Sequence, residues 1–346
     1  MKLLHEKGYA VRLIYWVHLE HDTYLADDLR ESGLQCDRLN ELNDKRTRLF
    51  RLSKVIKSWK PDVVISYNSG ASELLCMNHI INHSYKLIVS ERTITRSISK
   101  RTRFKMWLYR FADCIVPNST TEADFIKKNF PKLNTKTKAI HNFVDTNRFS
   151  CNGNKEKAYE PVRAIFVGRI NVAKNIPNFL SAIKLVKDAG CDLTVDMFGN
   201  VQDNTIYENA VAFINDNHLQ GMVAFHPASN HIEDEYQAHN LFIMPSSWEG
   251  FPNVLCEAMS CGLPVLASNV SDVSHIMEDS VNGYLMNPTS PDDMAKTIIR
   301  YCQLSKEERI AMAKASRTII EKKFSKESFI QNYIKLIEND QNKERP

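Results

Sequence analysis

What most constrains the fold is an alternation of two patterns, made twice along the chain. Short β-branched runs stand at 11–17 (VRLIYWV), 61–68 (PDVVISYN), 85–90 (YKLIVS) and 113–118 (DCIVPN). Amphipathic helical patterns lie between several of them, among them 46–59 (RTRLFRLSKVIKSW). A polar, aperiodic stretch, SCNGNKEKAYEP (150–161), then reads as a linker. Beyond it the alternation restarts with RAIFVG (163–168), LTVDMFG (193–199), MVAFH (222–226), LFIMPS (241–246), PVLAS (264–268) and GYLMN (283–287). The helix at 176–189 places Ile176, Phe179, Leu180, Ile183 and Val186 on one stripe and stops at Gly190. Helical patterns fill 291–303, 306–322 and 326–340. Strands alternating with helices form parallel, doubly wound sheets. The expectation is an α/β chain of two Rossmann-like domains, 1–150 and 151–325, facing a central cleft.

The first domain carries an anomaly. Folds of this kind open with a strand, a glycine-rich turn and a helix, and the opening strand lies mid-sheet. Residues 1–9, MKLLHEKGY, read instead as the last turns of that first helix. The first domain is therefore expected to lack its first strand and Gly-rich loop, with a gap in its sheet. Either the start lies upstream or the domain is compromised.

Composition narrows the class. Of 346 residues, 43% are apolar and 25% charged, as in soluble globular proteins. No 18-residue apolar run marks a transmembrane helix, and the N-terminus does not resemble a signal peptide, so a cytoplasmic location is expected. The eight cysteines form no CxxC pair and mostly fall inside apolar patterns. They read as reduced, buried thiols rather than a zinc site. Charge is unevenly spread. Residues 1–150 hold 26 Lys and Arg against 16 Asp and Glu, and the rest hold 19 against 25, so a basic half precedes a mildly acidic one.

Chemistry concentrates in SSWEGFPNVLCEAMSCGLPVLAS (246–268). LFIMPSS ends a strand, and Trp248-Glu249-Gly250-Phe251-Pro252 is a loop at its carboxyl end, the ligand edge of an open α/β sheet. Asn253 reads as the N-cap of a two-turn helix over 254–261. The amides of Gly250, Phe251, Pro252's successor Asn253 and Val254 then point at that edge, where the helix dipole favours an anion. Glu257 sits one turn in, among Val254, Leu255, Ala258 and Met259. A buried carboxylate without partners is costly, and adjacent sugar hydroxyls would satisfy it. The plain alternative for Glu249 and Glu257 is an exposed surface glutamate. A second site is Val167-Gly168-Arg169 with Lys174-Asn175, at the first strand-to-helix turn of the second domain. Its cations can hold a diphosphate and stabilise it on departure, or they are solvated loop charges. Gly199 is a further strand-end glycine that a nucleotide could approach.

These residues carry a resemblance. EGFPNVLCEAMSCGLPVLAS has the E-x7-E arrangement of the retaining glycosyltransferases of family 4, which have the GT-B fold. GRI followed by AKN (168–175) resembles that family's Gly-Arg and Lys element, and HNFVDTNRF (141–149) resembles the segment closing its first domain. The final segment, 326–346, resembles the helix that returns to the first domain. The resemblance implies a hexosyltransferase-type enzyme moving a sugar, with retention and without a metal or other cofactor, from a nucleotide-sugar to a glycan or polyprenyl-linked acceptor in surface polysaccharide biosynthesis. It makes Arg169, Lys174 and Glu249 the catalytic set. Gly168, Asn175, Gly199, Gly250, Phe251, Pro252, Asn253, Val254 and Glu257 bind the donor. Where many family members carry a first-domain His, this chain reads Ser90-Glu91-Arg92-Thr93, and His21, His83, His141 and His275 read as ordinary polar or packed residues.

The stretch RTITRSISKRTRFKMWLYR (92–110) holds seven Lys and Arg, no acid, and the interleaved Trp107 and Tyr109; residues 45–60 add seven more cations without an acid. Such a surface suits an anionic membrane and a lipid-diphosphate-linked acceptor, with Glu91, Arg92, Arg96, Lys100, Arg101, Arg103 and Trp107 on the acceptor or membrane side. Solvated helix faces are the plain alternative. Nucleic acid is not expected as a partner, because no recognition motif appears and the second half is acidic. Two other functions compete. One is a non-catalytic remnant or binding subunit, motivated by the missing opening strand. The other is a GT-B enzyme of different chemistry, an epimerase or phosphorylase, for which no acid/base set or pyridoxal lysine context is seen.

Overall fold

The structure, a computed structural model, describes residues 1–15, 32–38, 45–151 and 161–338. The expected linker lies mostly outside these residues, as do His21 and the last two residues of the 326–340 helical pattern. The chain divides into two compact units: Met1–Pro117, Glu122–Ile140 and Ile330–Pro346 form one, Asn118–Thr121 and His141–Phe329 the other.

In chain order the first unit begins with α1 (Lys2–Glu6), β1 (Arg12–Tyr15), β2 (Gln35–Arg38), α2 (Lys45–Trp59) and β3 (Val63–Ser66). It continues with α3 (Ser69–Ile81), β4 (Lys86–Glu91), α4 (Lys100–Tyr109), β5 (Cys114–Pro117) and the body of α5 (Thr120–Asn129). Its strands form two parallel groups. β3, β4 and β5 make one three-stranded sheet and, among the described residues, β1 pairs only with β2. No strand among the described residues joins the two groups. β4 is buried along its whole length, and Leu52, Ile56, Leu74, Leu87, Met106 and Ile115 form the core around it.

The second unit holds β6 (Val162–Val167), α6 (Ile176–Asp188), β7 (Leu193–Phe198), α7 (Asn204–Asp216), β8 (Val223–His226), α8 (Ile232–Ala238) and β9 (Leu241–Met244). It ends with α9 (Asn253–Ser260), β10 (Val265–Ser268), α10 (Val273–Ile276), β11 (Gly283–Met286), α11 (Pro291–Cys302), α12 (Lys306–Lys323) and the start of α13 (Lys326–Glu338). Six parallel strands run in the order β11-β10-β9-β6-β7-β8. One face is covered by the apolar sides of α6, α7 and α11, the other by those of α8, α9 and α12. Strands buried on both faces read as near-continuous apolar runs, which is why LFIM and VLAS were legible as strands. β2 was not legible. QCDR is polar, and it forms a strand by pairing with β1.

The second unit takes over at His141, ahead of the polar stretch, for a packing reason. Val144 N donates to Phe324 O at 3.2 Å, Ser260 Oγ donates to Phe149 O at 2.6 Å, and the Phe149 ring stands edge-on to Tyr236. At the other end, residues 330–338 of α13 lie with the first unit. There Lys86 Nζ donates to Leu336 O at 2.6 Å, and Tyr333 is buried beside Tyr67. The cysteines are less buried than their sequence context implies. Cys76, Cys256 and Cys261 are buried, but Cys36 and Cys151 are exposed because they fall on an edge strand and a loop.

Candidate active site

The sheet order of the second unit reverses at β6, whose neighbours are β7 on one side and β9 on the other. Ligands of open α/β sheets bind outside the carboxyl ends of the strands at such a switch point. The loops leaving β6 and β9 there are 168–175 and 245–252, the two stretches the sequence singles out.

These loops are built into each other. Asn171 Oδ1 accepts from Ala173 N at 3.1 Å and so shapes the turn carrying Lys174. Ala173 O accepts from Ser247 N at 2.8 Å, which ties that turn to the Glu249 loop. Lys174 Nζ donates to Glu249 Oε1 at 2.6 Å, and Ser246 Oγ donates to the same oxygen at 2.6 Å. Ser271 holds the Glu249 main chain, with its Oγ against both the amide and the carbonyl. The ion pair is largely enclosed, at 13% and 14% side-chain exposure, so water screens it less than a surface pair. Gly168 leaves room for this path: a Cβ there would meet Lys174 Cε at 2.8 Å, so the lysine side chain passes close over the peptide and would have to shift for a larger residue. Gly199 does the same for the layer below, where a Cβ would lie 2.0 Å from Gly168 O. It permits this close passage of the two loops. Arg169 follows at the same turn and is exposed.

Glu257 belongs to a neighbouring arrangement. It is half-buried on α9, and Tyr236 Oη donates to its Oε2 at 3.4 Å. Burial lifts its carboxyl to about 6, against the lowering effects of the Tyr236 hydrogen bond and the Arg148 charge. It lines a cavity of about 260 Å³ with Asn142, Phe143, Asp145, Phe149, Asn253 and Phe329 among the other walls. A carboxylate in this position is neither in open solvent nor sealed in the core. α9 starts at Asn253 rather than being capped by it. Pro252 is the N-cap residue, no side chain caps the first turn, and the Asn253 amide group instead accepts from Asn142 Nδ2 at 2.8 Å. In the first turn Asn253 N donates to Phe251 O at 3.0 Å and Leu255 N to Pro252 O at 3.1 Å, which leaves the Val254 N–H for an anion.

Several residues assigned to donor binding face elsewhere. Asn175 is buried in the left-handed region (φ 57°), and its Nδ2 donates to Pro245 O at 3.0 Å and Pro288 O at 2.7 Å, bolting two loops to the start of α6. Phe251 and Pro252 are buried, with the Phe251 ring stacked on His141 at 5.5 Å. His141 is a packed residue, as the sequence implies, and it also pairs with Asp272 at 3.1 Å. Asp272 is fully buried and accepts from Thr120 N at 2.6 Å and Thr121 N at 2.8 Å. Burial alone would raise its pKa. The hydrogen bonds from His141, Thr121 and Thr120 outweigh it and hold the carboxyl at about 2.

In the first unit Glu91 does not present itself to an acceptor. It is 1% exposed and accepts from Lys105 Nζ at 2.8 Å, Tyr109 Oη at 3.0 Å and Thr93 Oγ1 at 2.8 Å, so it pins α4 to the end of β4. Arg92 is half-buried, its guanidinium 4.7 Å from the Tyr67 ring centroid. Arg96, Lys100, Arg101, Arg103 and Trp107 are exposed, and Arg101 pairs with the buried Glu73 at 2.7 Å. Sequence reasoning missed Tyr236, Ser246, Ser271 and Asn142. Only Ser246 had a signal, as a strand-end serine three residues before a glutamate; the others reach the site by tertiary packing.

Comparison with known proteins places the chain. Residues 152–319 match the family model for glycosyl transferases group 1, and residues 1–148 match that for glycosyltransferase family 4. The chain is 23% identical over 253 residues to an uncharacterized glycosyltransferase of Methanocaldococcus jannaschii, a match covering 64% of this chain and 59% of that protein. It is 22% identical over 315 residues to the UDP-Gal:alpha-D-GlcNAc-diphosphoundecaprenol alpha-1,3-galactosyltransferase of Escherichia coli, covering 80% and 76%. A glycosyltransferase of Rickettsia africae superposes with a TM-score of 0.84 at 14% identity, over 99% of this chain and 93% of that one. The Anabaena protein HepE, solved with UDP-glucose, gives 0.77 at 18% identity, over 91% and 88%. At these identities the two structures show the GT-B fold. With one model matching each half, the chain belongs to the group 1, family 4 glycosyltransferases and is an enzyme of the glycosyl-transferring class.

Proposed function

We propose that this glycosyltransferase moves a sugar from a nucleoside diphosphate sugar to a glycan or polyprenyl-linked acceptor during surface polysaccharide assembly, on the cytoplasmic side of the membrane and with retention at the anomeric carbon. The observation that carries this reading is Glu257, a half-buried carboxylate beside an uncapped helix N-terminus and open to a cavity of about 260 Å³. Ionised, it accepts from two adjacent ribose hydroxyls. Lys174 and Arg169 take the diphosphate with the Val254 N–H at the start of α9. Glu249 orients the donor sugar, its Oε1 already held by Lys174 and Ser246.

In the transfer the bond from the anomeric carbon to the diphosphate oxygen breaks, and a bond to the acceptor oxygen forms on the same face. The acceptor's hydroxyl proton passes to the leaving diphosphate. Charge developing on that leaving group meets preorganised cations and N–H groups, the electrostatic work a metal ion does in other transferases. Activity undiminished by EDTA is the corresponding expectation. The Escherichia coli relative, named for a UDP-galactose donor and a diphosphoundecaprenol-linked acceptor, and HepE, solved with UDP-glucose, support the donor and acceptor classes.

A thermal-shift screen with UDP-, GDP-, ADP- and dTDP-sugars tests the proposal. Stabilisation by at least one of them, abolished in Glu257→Ala, is the expected result. An intact chain that binds none of them overturns it.

A further inference from the structure

We infer that the outer face of the α2–α3–α4 layer is a docking surface for an anionic lipid bilayer, entered by aromatic side chains and held by cations. The inference deepens the acceptor reading above, since a polyprenyl-linked acceptor resides in such a bilayer, but its own observations are independent of the donor site.

α3 packs against both α2 and α4. β3, β4 and β5 are parallel and adjacent in order, so right-handed crossovers put α3 and α4 on one face of that sheet. The inward stripes are ordinary core, with Leu52 and Ile56 from α2, Leu74 and Leu75 from α3, and Met106 and Tyr109 from α4.

The outward stripes are not ordinary surface. On α4, Lys100, Arg103, Phe104 and Trp107 recur at helical spacing, and Arg110 and Phe111 follow in the turn at its end. Phe104 is 45% exposed and Trp107 48%, and their rings stack at 6.0 Å, with Phe111 edge-on to Trp107 at 5.5 Å. On α2, Phe50 is 71% exposed and heads a stripe continued by the exposed Lys54 and Lys57. At the end of α3, the helix that contacts both, Ile81 is 87% exposed. Large apolar groups this exposed, on neighbouring helices, mark an interaction surface rather than scattered surface residues.

Charge selects the partner. Neither residues 45–60 nor residues 92–110 contain an acid, against seven cations in each. Glu73 of α3 and Glu91 of β4 are both buried and spent on Arg101 and Lys105. Aromatics flanked by lysine and arginine, on two stretches that themselves hold no acid, match the interface of an anionic membrane, where the rings enter the headgroup region and the cations meet lipid phosphates. No helix among the described residues is long and apolar enough to cross the bilayer, so the contact is in-plane.

The test uses the full chain with vesicles of phosphatidylcholine alone and of phosphatidylcholine with about one-third phosphatidylglycerol, a level at which anionic surface potential is substantial. Co-sedimentation is expected only with the anionic vesicles, weakening steeply as salt is raised. A blue shift of tryptophan emission should accompany binding and diminish in Trp107→Phe. Phe50→Ser with Phe104→Ser, and separately Lys54→Glu with Lys57→Glu and Arg110→Glu, should each lower the partition coefficient by roughly tenfold or more. Circular dichroism and unfolding temperature establish that both variants are folded. Absence of vesicle binding by the wild type overturns the inference. So does equal binding by folded variants, or retention on RNA or a soluble polyanion with none on vesicles. Failure of the donor reading would appear separately, as vesicle binding without nucleotide-sugar binding.

Discussion

At the scale of single residues, the candidate site holds two carboxylates in different surroundings. Glu249 is matched by Lys174 at 2.6 Å, and Glu257 is lifted by burial to about 6. The second value has a sign that can be tested. The unfolded carboxyl titrates near 4.5, so between that pH and about 6 the folded chain holds a proton the unfolded chain has released. Stability from this group is therefore complete below 4.5 and lost as pH rises through about 6, by on the order of 1–2 kcal/mol. Glu257→Gln should raise the unfolding temperature at pH 7.5 (an assay condition, roughly neutral) and leave it nearly unchanged near pH 4. The same variant should bind nucleotide-sugars poorly at every pH, while wild-type affinity strengthens as pH rises through about 6. Isothermal titration across pH checks both. Lys174→Met should lower kcat by about 10²- to 10³-fold, the usual cost of one preorganised charge at a developing anion, with steady-state kinetics as the measure.

At the scale of elements, the loops at the switch point are held by side chains bonded to main-chain groups of other elements. Asn175 joins the start of α6 to Pro245 O and Pro288 O. Asn175→Ala leaves those carbonyls without their donor in a position that favours Asn or Gly, and should cost about 1–3 kcal/mol in chemical denaturation. Gly199→Ala places a methyl 2.0 Å from Gly168 O, so the two loops must part. Stability should fall by about 2 kcal/mol or more, and transfer activity should fall with it as Lys174 loses its fixed path. Asp272 anchors Thr120 and Thr121 at the start of α5 and pairs with His141. Its carboxyl is held at about 2 against an ordinary 3.8, so its contribution is present above 3.8 and lost as pH falls through about 2, roughly 2 kcal/mol in all. Acid unfolding of Asp272→Asn should begin at lower stability and show a shallower slope across that window.

At the scale of the whole molecule, the two units differ in how their sheets are made. β6 and β9 lie in the middle of six continuous strands, buried between two helical layers, whereas β1 and β2 form a two-stranded pair with β1 only half-buried. Two-stranded pairs are marginal alone, and exchange protection follows burial and continuity of the ladder. Hydrogen-exchange mass spectrometry should show β6 and β9 exchanging last, and β1 and β2 exchanging faster by orders of magnitude. Comparable protection of both would overturn this ranking.

The sequence by itself determined the α/β class, ten of the strands, the switch-point loops and the special standing of Glu257. Each rests on a local signal: β-branched runs, glycines at strand ends, a carboxylate on an otherwise apolar helix. Tertiary structure alone decided which way the loop side chains turn. Asn175, Phe251 and Glu91 sit in motif positions yet point into the protein, because each found partners distant in sequence: Pro288 O, the ring of His141, the ammonium of Lys105. Residue order records spacing along one element. The direction of a side chain is set by what other elements bring within a few ångströms, and that is absent from any local pattern.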